Sequence, residues 1–203
     1  MYRSESDYLV RSTLFLFFLS FAAIAVPASD LAQESTLHGD MEVAVSLDPG
    51  EQSGTASASV RIHASREVIW PLITSCAEAL RLVPGLIACN VLETAPDGSW
   101  QRIRQVLDYS WFVPKLDYEI RASYYQPPSR VSIERISGDL LTLRGSWVLQ
   151  SDGDYTVANY TIALAPGFWV PHWLVRAALR HDLPKMVRAL RERAEFLQGQ
   201  KAD

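Results

Sequence analysis

From Ile87 onward the chain alternates apolar and polar side chains with a period of two, and only short turn-forming clusters interrupt the alternation. The alternating runs are Ala88 to Glu93, Trp100 to Ser110, Leu116 to Tyr125, Arg130 to Ser137, Leu140 to Gln150 and Tyr155 to Leu164. Between them stand Pro96-Asp97-Gly98, Pro127-Pro128-Ser129, Ser137-Gly138-Asp139 and Ser151-Asp152-Gly153-Asp154, which carry the residue types that tight reversals need. Connections this short join antiparallel neighbours, because a parallel return requires a crossover of a dozen or more residues. The pattern therefore commits the middle of the chain to an antiparallel meander.

A meander must bury one face, and the alternation supplies it. Tyr118, Ile120, Ala122 and Tyr124 share a face, as do Val131 and Ile133, and as do Leu141, Leu143, Gly145, Trp147 and Leu149. The one element long enough to cover that face is the final helix, read from Pro171 to Leu197. Its apolar stripe is read as Trp173, Leu174, Ala177, Ala178, Leu183, Val187, Leu190, Ala194 and Leu197, and Pro184 is expected to kink it. Ahead of the meander, strands are expected at Met41 to Leu47 and Ala56 to His63, joined through Asp48-Pro49-Gly50. Two short helices follow, Arg66 to Ser75 behind a Ser65 cap and Glu78 to Val83 before Pro84-Gly85. The predicted class is α+β: a curved antiparallel sheet of six to seven strands wrapped around a long C-terminal helix, with two short helices after the first strand. A curved sheet gripping one helix rarely matches it in shape, and the gap left over is a potential ligand site.

The N-terminus carries a localisation signal. Leu14 to Val26 is an apolar run of signal-peptide length, short of the ~20 residues that span a bilayer, and small residues place a cleavage site after Ala28. Residues 1–28 are thus read as a signal peptide, 29–39 as a linker and 40–203 as a single domain, exported to a bacterial periplasm. The alternative is an uncleaved N-terminal anchor, because Glu5 and Asp7 offset Arg3 and Arg11. Export bears on Cys76 and Cys89, which in an oxidising compartment would pair as a disulfide; two buried free thiols are the other reading.

Several chemistries find no support. A net charge of -4 argues against non-specific nucleic-acid binding. His38, His63, His172 and His181 fall in no metal-ligand spacing, and no glycine-rich phosphate loop or nucleophile elbow is present, so neither metal nor cofactor is expected. Charged residues on the strands, such as Arg102, Arg104, Glu119 and Arg121, read as cross-strand pairs on a solvent face. Arg135 is different, since it is in phase with Val131 and Ile133 and would point inward.

The order of elements, together with ASVRIHASREVIWPLITS, LVPGLIACNVLE, LRGSWVLQSDGDYTVANY and LPKMVRALRERAE, resembles the helix-grip fold of the START-like (SRPBCC) superfamily, which includes Bet v 1, polyketide cyclases and coenzyme Q-binding START proteins. The resemblance covers about residues 55 to 197. It implies a cavity for a hydrophobic small molecule or lipid between sheet and long helix, and leaves open whether the domain carries its ligand or acts on it as a cyclase or dehydratase. Within such a fold two aromatic corners, Ser110 to Leu116 (SWFVPKL) and Gly167 to Trp173 (GFWVPHW), are expected near one mouth of the cavity. The candidate cavity and rim residues are Trp111, Phe112, Tyr118, Tyr124, Arg135, Trp147, Phe168, Trp169 and Trp173. The bland reading of the aromatic corners is that they plug the end of the core. With Arg176 and Arg180 close by, the same aromatics suit peripheral contact with an anionic membrane surface.

Overall fold

The computed structural model describes residues 34–38, 41–47, 53–109 and 114–202, all within one compact unit. Nine strands form a single sheet: β1 (Glu34–His38), β2 (Met41–Leu47), β3 (Gly54–Ile62), β4 (Leu86–Thr94), β5 (Trp100–Leu107), β6 (Leu116–Tyr125), β7 (Arg130–Gly138), β8 (Leu140–Asp152) and β9 (Tyr155–Pro166). Helices α1 (Arg66–Thr74) and α2 (Cys76–Leu82) follow β3, and α3 (His172–Ala202) closes the chain. The strand order is β1-β2-β3-β9-β8-β7-β6-β5-β4, with every neighbouring pair antiparallel. The meander is thus as the alternation predicted, and α1 and α2 carry the chain from β3 to the far edge of the sheet.

Two differences enlarge the sheet beyond the six or seven strands expected. Glu34–His38 lies within the segment read as linker, yet it pairs with β2 from Glu34↔Val45 to His38↔Met41. β3 sits directly beside β9, in register from Gly54↔Leu164 to Ile62↔Thr156. The expected signal peptide lies outside the described residues.

Local chemistry explains the joints. Ser75 closes α1 and opens α2: its backbone N–H donates to the Pro71 carbonyl at 3.2 Å, while its hydroxyl accepts from the Glu78 N–H at 3.3 Å. Between β7 and β8, Gly138 holds φ +102, and a Cβ there would stand 2.3 Å from the Asp117 carbonyl oxygen. Only glycine lets β7 end against β6, where Asp139 N–H donates to that same carbonyl at 3.0 Å. On the solvent face Arg104 Nε donates to Asp117 at 2.8 Å and Arg102 lies 3.7 Å from Glu93, so cross-strand pairs form as expected.

Helix α3 packs on β2, β3, α1 and α2 through Val175, Leu179, Leu183, Val187, Leu190 and Ala194, all buried and spaced by three or four residues. The expected stripe had Trp173 at its start, but Trp173 is 64% exposed. Stepping back by fours from Leu183 lands on Leu179 and Val175, which leaves Trp173 off the buried face. Leu141 likewise leaves the inward set, because a register shift between Leu140 and Thr142 turns Leu140 inward and Leu141 out. The C-terminal end of α3 is tied to the β3–α1 junction, where His63 N–H donates to Glu195 at 3.1 Å and Ser65 N–H to Gln198 at 3.2 Å. Nearby, the Thr156 hydroxyl donates to the Ala64 carbonyl at 2.7 Å.

Candidate functional site

The sheet and α3 do not close on each other along their whole length. Where the first half of α3 faces β5 to β9, a cavity of about 710 Å³ remains, closed on a third side by α2. Its walls are chiefly aliphatic and aromatic: Ile120 and Ile133 from the sheet floor, Leu82 and Val83 from α2 and its exit, Leu179 and Met186 from α3. An apolar hollow of this volume is of the size that encloses a drug-sized molecule. The opening is marked by lining residues that also reach solvent, namely Tyr109, Arg180 and His181.

Curvature brings the polar exceptions together. Tyr118 on β6 faces Gln105 on β5 in register, and its hydroxyl donates to the Gln105 side-chain Oε1 at 3.0 Å. Tyr160 on β9 pairs with Trp147 on β8, the two rings 4.4 Å apart and tilted by 32°. Burial pushes the Tyr118 and Tyr160 hydroxyls well above the usual tyrosine range, and the Tyr109 hydroxyl adds to the effect on both. Tyr109 is 41% exposed as a residue, yet its hydroxyl sits among protein atoms; burial first and the Asp182 carboxylate second push it to about 12. Its ring packs 3.2 Å from where a Gly85 Cβ would lie. Asp182 is itself raised by burial, opposed by His181, whose Nδ1 lies 3.4 Å away, and by Lys185.

The sequence-predicted residues divide. Tyr118, Trp147 and Phe168 line the cavity. Tyr124 is on the same face of β6 but further along; its hydroxyl donates to Gln101 at 2.8 Å and its ring meets Trp70 of α1 edge-on at 5.8 Å, so it packs beneath α1 rather than in the cavity wall. Arg135 has the inward phase, opposite Ile120, but its guanidinium turns to the end of the strand and donates to the Gly138 carbonyl at 3.0 Å, away from the cavity lining. Trp169 and Trp173 point outward, 76% and 64% exposed, while Phe168, Val170 and Val175 around them face in. Trp111 and Phe112 lie outside the described residues. Gln105, Tyr109, Tyr160 and Asp182 were missed. Register would have found Tyr160, since it stands opposite Trp147, but pairing partners are not written in a single strand's alternation.

Cys76 and Cys89 form a disulfide between α2 and β4, which pins α2 as a cavity wall. Gln105 Nε2 lies 3.8 Å from the Cys89 sulfur, so the same glutamine touches the Tyr118 hydroxyl and the disulfide. Among the described residues no cluster of His, Cys, Asp and Glu is placed to hold a metal ion, and no helix is long and apolar enough to cross a membrane.

Solved structures share this architecture. A STAR-related lipid transfer protein from Xanthomonas axonopodis superposes with a TM-score of 0.66 at 17% identity, covering 79% of this chain and 97% of that one. A START superfamily protein from Mycobacterium smegmatis gives 0.60 at 19% identity, over 70% and 98%. The Zhui aromatase/cyclase from Streptomyces sp. R1128 gives 0.57 at 11%, over 74% and 96%. At these identities the likeness is one of fold. No curated protein matches the sequence. The family model described as polyketide cyclase / dehydrase and lipid transport matches residues 62–191, well over half of the chain. The chain therefore belongs to the polyketide cyclase / dehydrase and lipid transport family, with the START-like helix-grip fold.

Proposed function

We propose that this domain binds and carries an apolar small molecule, held between the sheet and the first half of α3. The observation that carries this reading is the 710 Å³ cavity with its predominantly hydrocarbon lining. Leaving such a surface against water is unfavourable by roughly 25 cal/mol per Å², which is recovered when an apolar guest covers it. The lipid transfer proteins among the structural neighbours support the same reading.

The proposal includes location. The apolar run from Leu14 to Val26 and the Cys76–Cys89 disulfide both support export to an oxidising compartment such as the periplasm. It also includes the membrane. Trp169 and Trp173 stand outward beside the cavity, and Arg176, Lys185 and Arg188 continue along the exposed side of α3. Aromatic side chains next to a basic stripe, in a chain of net charge -4, suit peripheral contact with anionic lipid, where the ligand would be collected or released.

A cyclase or dehydratase activity is the second reading, favoured by the tyrosine hydroxyls inside the cavity and by the aromatase/cyclase neighbour. Proton abstraction near neutral pH needs a group that titrates there. Burial moves Tyr118 and Tyr160 in the opposite direction, to hydroxyls that hydrogen-bond or polarise, so the acid–base work of this reading would fall to His181 and Asp182 at the opening.

The test is to express the full chain in a Gram-negative host, purify the domain from the periplasmic fraction, and apply native mass spectrometry followed by organic extraction. A bound apolar molecule in the cavity supports the proposal. A protein that emerges empty and takes up none of a panel of lipids, quinones and polycyclic ketones refutes it.

A further inference from the structure

Tyr160 brings to the cavity wall a hydroxyl that the protein's own hydrogen bonding leaves unused. The residue is 9% exposed and lines the hollow, and its ring is fixed against Trp147. Its hydroxyl makes no hydrogen bond to any of the described residues, whereas the Tyr118 hydroxyl is already committed to Gln105 and that of Tyr124 to Gln101. The ring is buried but the hydroxyl is open to the hollow, so its hydrogen-bonding capacity is not used by the protein. The donor is therefore poised for something that enters the cavity.

The surroundings restrict what that something is. The basic side chains of the lining, Arg180 and His181, are exposed at the opening, with Asp182 beside them, and among the described residues no strand contributes a cation to the lining. A carboxylate or phosphate at that depth would be desolvated with no countercharge. The volume guides the size: a cavity of about 710 Å³ lies in the range that encloses a drug-sized molecule. A single chain or a compact polycycle is of that size.

Resting on the reading of the cavity as a ligand site, we propose that Tyr160 is its specificity-determining donor, and that the ligand is an uncharged molecule with one hydrocarbon body bearing a carbonyl or ether-type oxygen that accepts from the Tyr160 hydroxyl. The Trp147 ring holds that donor in place, and the Tyr118–Gln105 pair supplies a second polar contact across the hollow.

The experiment compares probes of one chain length, dodecan-2-one, dodecane and dodecanoate, together with a two-chain phosphatidylcholine, by displacement of an apolar fluorescent dye from the wild-type protein and from Tyr160→Phe. The ketone is expected to bind most tightly. Tyr160→Phe is expected to weaken the ketone about five- to tenfold, the worth of one neutral hydrogen bond, and to leave dodecane unchanged. Equal affinity for ketone and hydrocarbon in the wild type overturns the assignment without any appeal to the variant, and leaves the cavity reading intact. So does dodecanoate or phosphatidylcholine binding as tightly as the ketone, or an equal loss of every probe in Tyr160→Phe. Failure of all probes to displace the dye removes the cavity reading, and this inference with it.

Discussion

Tyr118 and Tyr160 are the residues whose chemistry the fold alters most, and the alteration has a measurable sign. Both hydroxyls are raised above the ordinary value near 10 because their phenolates would be buried. For such a group the stabilising contribution is complete below the unfolded pKa and is lost as pH climbs through the folded one. Ultraviolet titration of the native protein should therefore show tyrosines that remain protonated past pH 10, and the domain should lose stability from about that pH upward rather than near neutrality. If every tyrosine ionises together near pH 10 while the domain stays folded, the placement of these rings is wrong. Sequence alternation was enough to put Tyr118 and Trp147 inside, since their strands each show one apolar face. It could not separate Tyr118 from Tyr124, which share that face: the difference is made by α1, which covers one end of β6, and by the cavity, which is left at the other. For Arg135 the backbone phase was right, but a long flexible side chain has room to turn toward a nearby carbonyl rather than enter an apolar hollow.

At the scale of elements, α2 and α3 are the helical walls of the site, facing the sheet. The disulfide ties α2 to β4 across a separation of 13 residues. Closing a loop of that length stabilises by about 3 kcal/mol on the chain-entropy account. The Cys76→Ser, Cys89→Ser double variant should lose close to that amount in denaturant unfolding, and its affinity for an apolar dye should change with it, because Leu82 and Val83 line the cavity just beyond. On α3, Asp182 has a carboxyl raised above 3.8 chiefly by burial. A raised carboxyl contributes fully below its unfolded pKa and loses that contribution as pH rises through the folded value, so the ionised form at neutral pH is a liability to the fold. Thermal unfolding of Asp182→Asn should accordingly show a gain over wild type that is absent near pH 3.5 and grows from about pH 4 upward. A gain that shrinks with rising pH would contradict the burial of this group. The helix itself was legible from its length and from Leu183, Val187, Leu190 and Ala194. Its first turns were not, because GFWVPHW supplies large apolar residues on every side, and only packing decides that Val175 and Leu179 go in while Trp173 goes out.

For the molecule as a whole, the exposed Trp169 and Trp173 and the basic side of α3 make a prediction about surfaces. Each Lys or Arg close to an anionic bilayer contributes roughly 1 kcal/mol. Replacing both Arg176 and Arg188 with Ala should thus reduce binding to phosphatidylglycerol vesicles by more than tenfold in flotation, and Trp169→Ala with Trp173→Ala should reduce what remains at high salt. Vesicle binding that is indifferent to all four substitutions would locate the membrane contact elsewhere or abolish it. The helix-grip architecture is readable in the sequence because it is built from short connections and one long helix. The two outer strands were not equally plain: β1 is a polar stretch, ESTLH, whose only reason to be extended is the free edge of β2 that it pairs with.

One arrangement within the sheet has a bearing on how the molecule comes into being. Because β3 takes β9 as its neighbour, and Thr156 reaches back to a carbonyl 92 positions earlier, the N-terminal hairpin joins the meander only through a strand made long after it. Contacts so distant along the chain close late and slowly. During synthesis, β2 and β3 have no lasting cover for their apolar face until β9 and α3 emerge, and over that interval a nascent chain of this design is open to association with others of its kind.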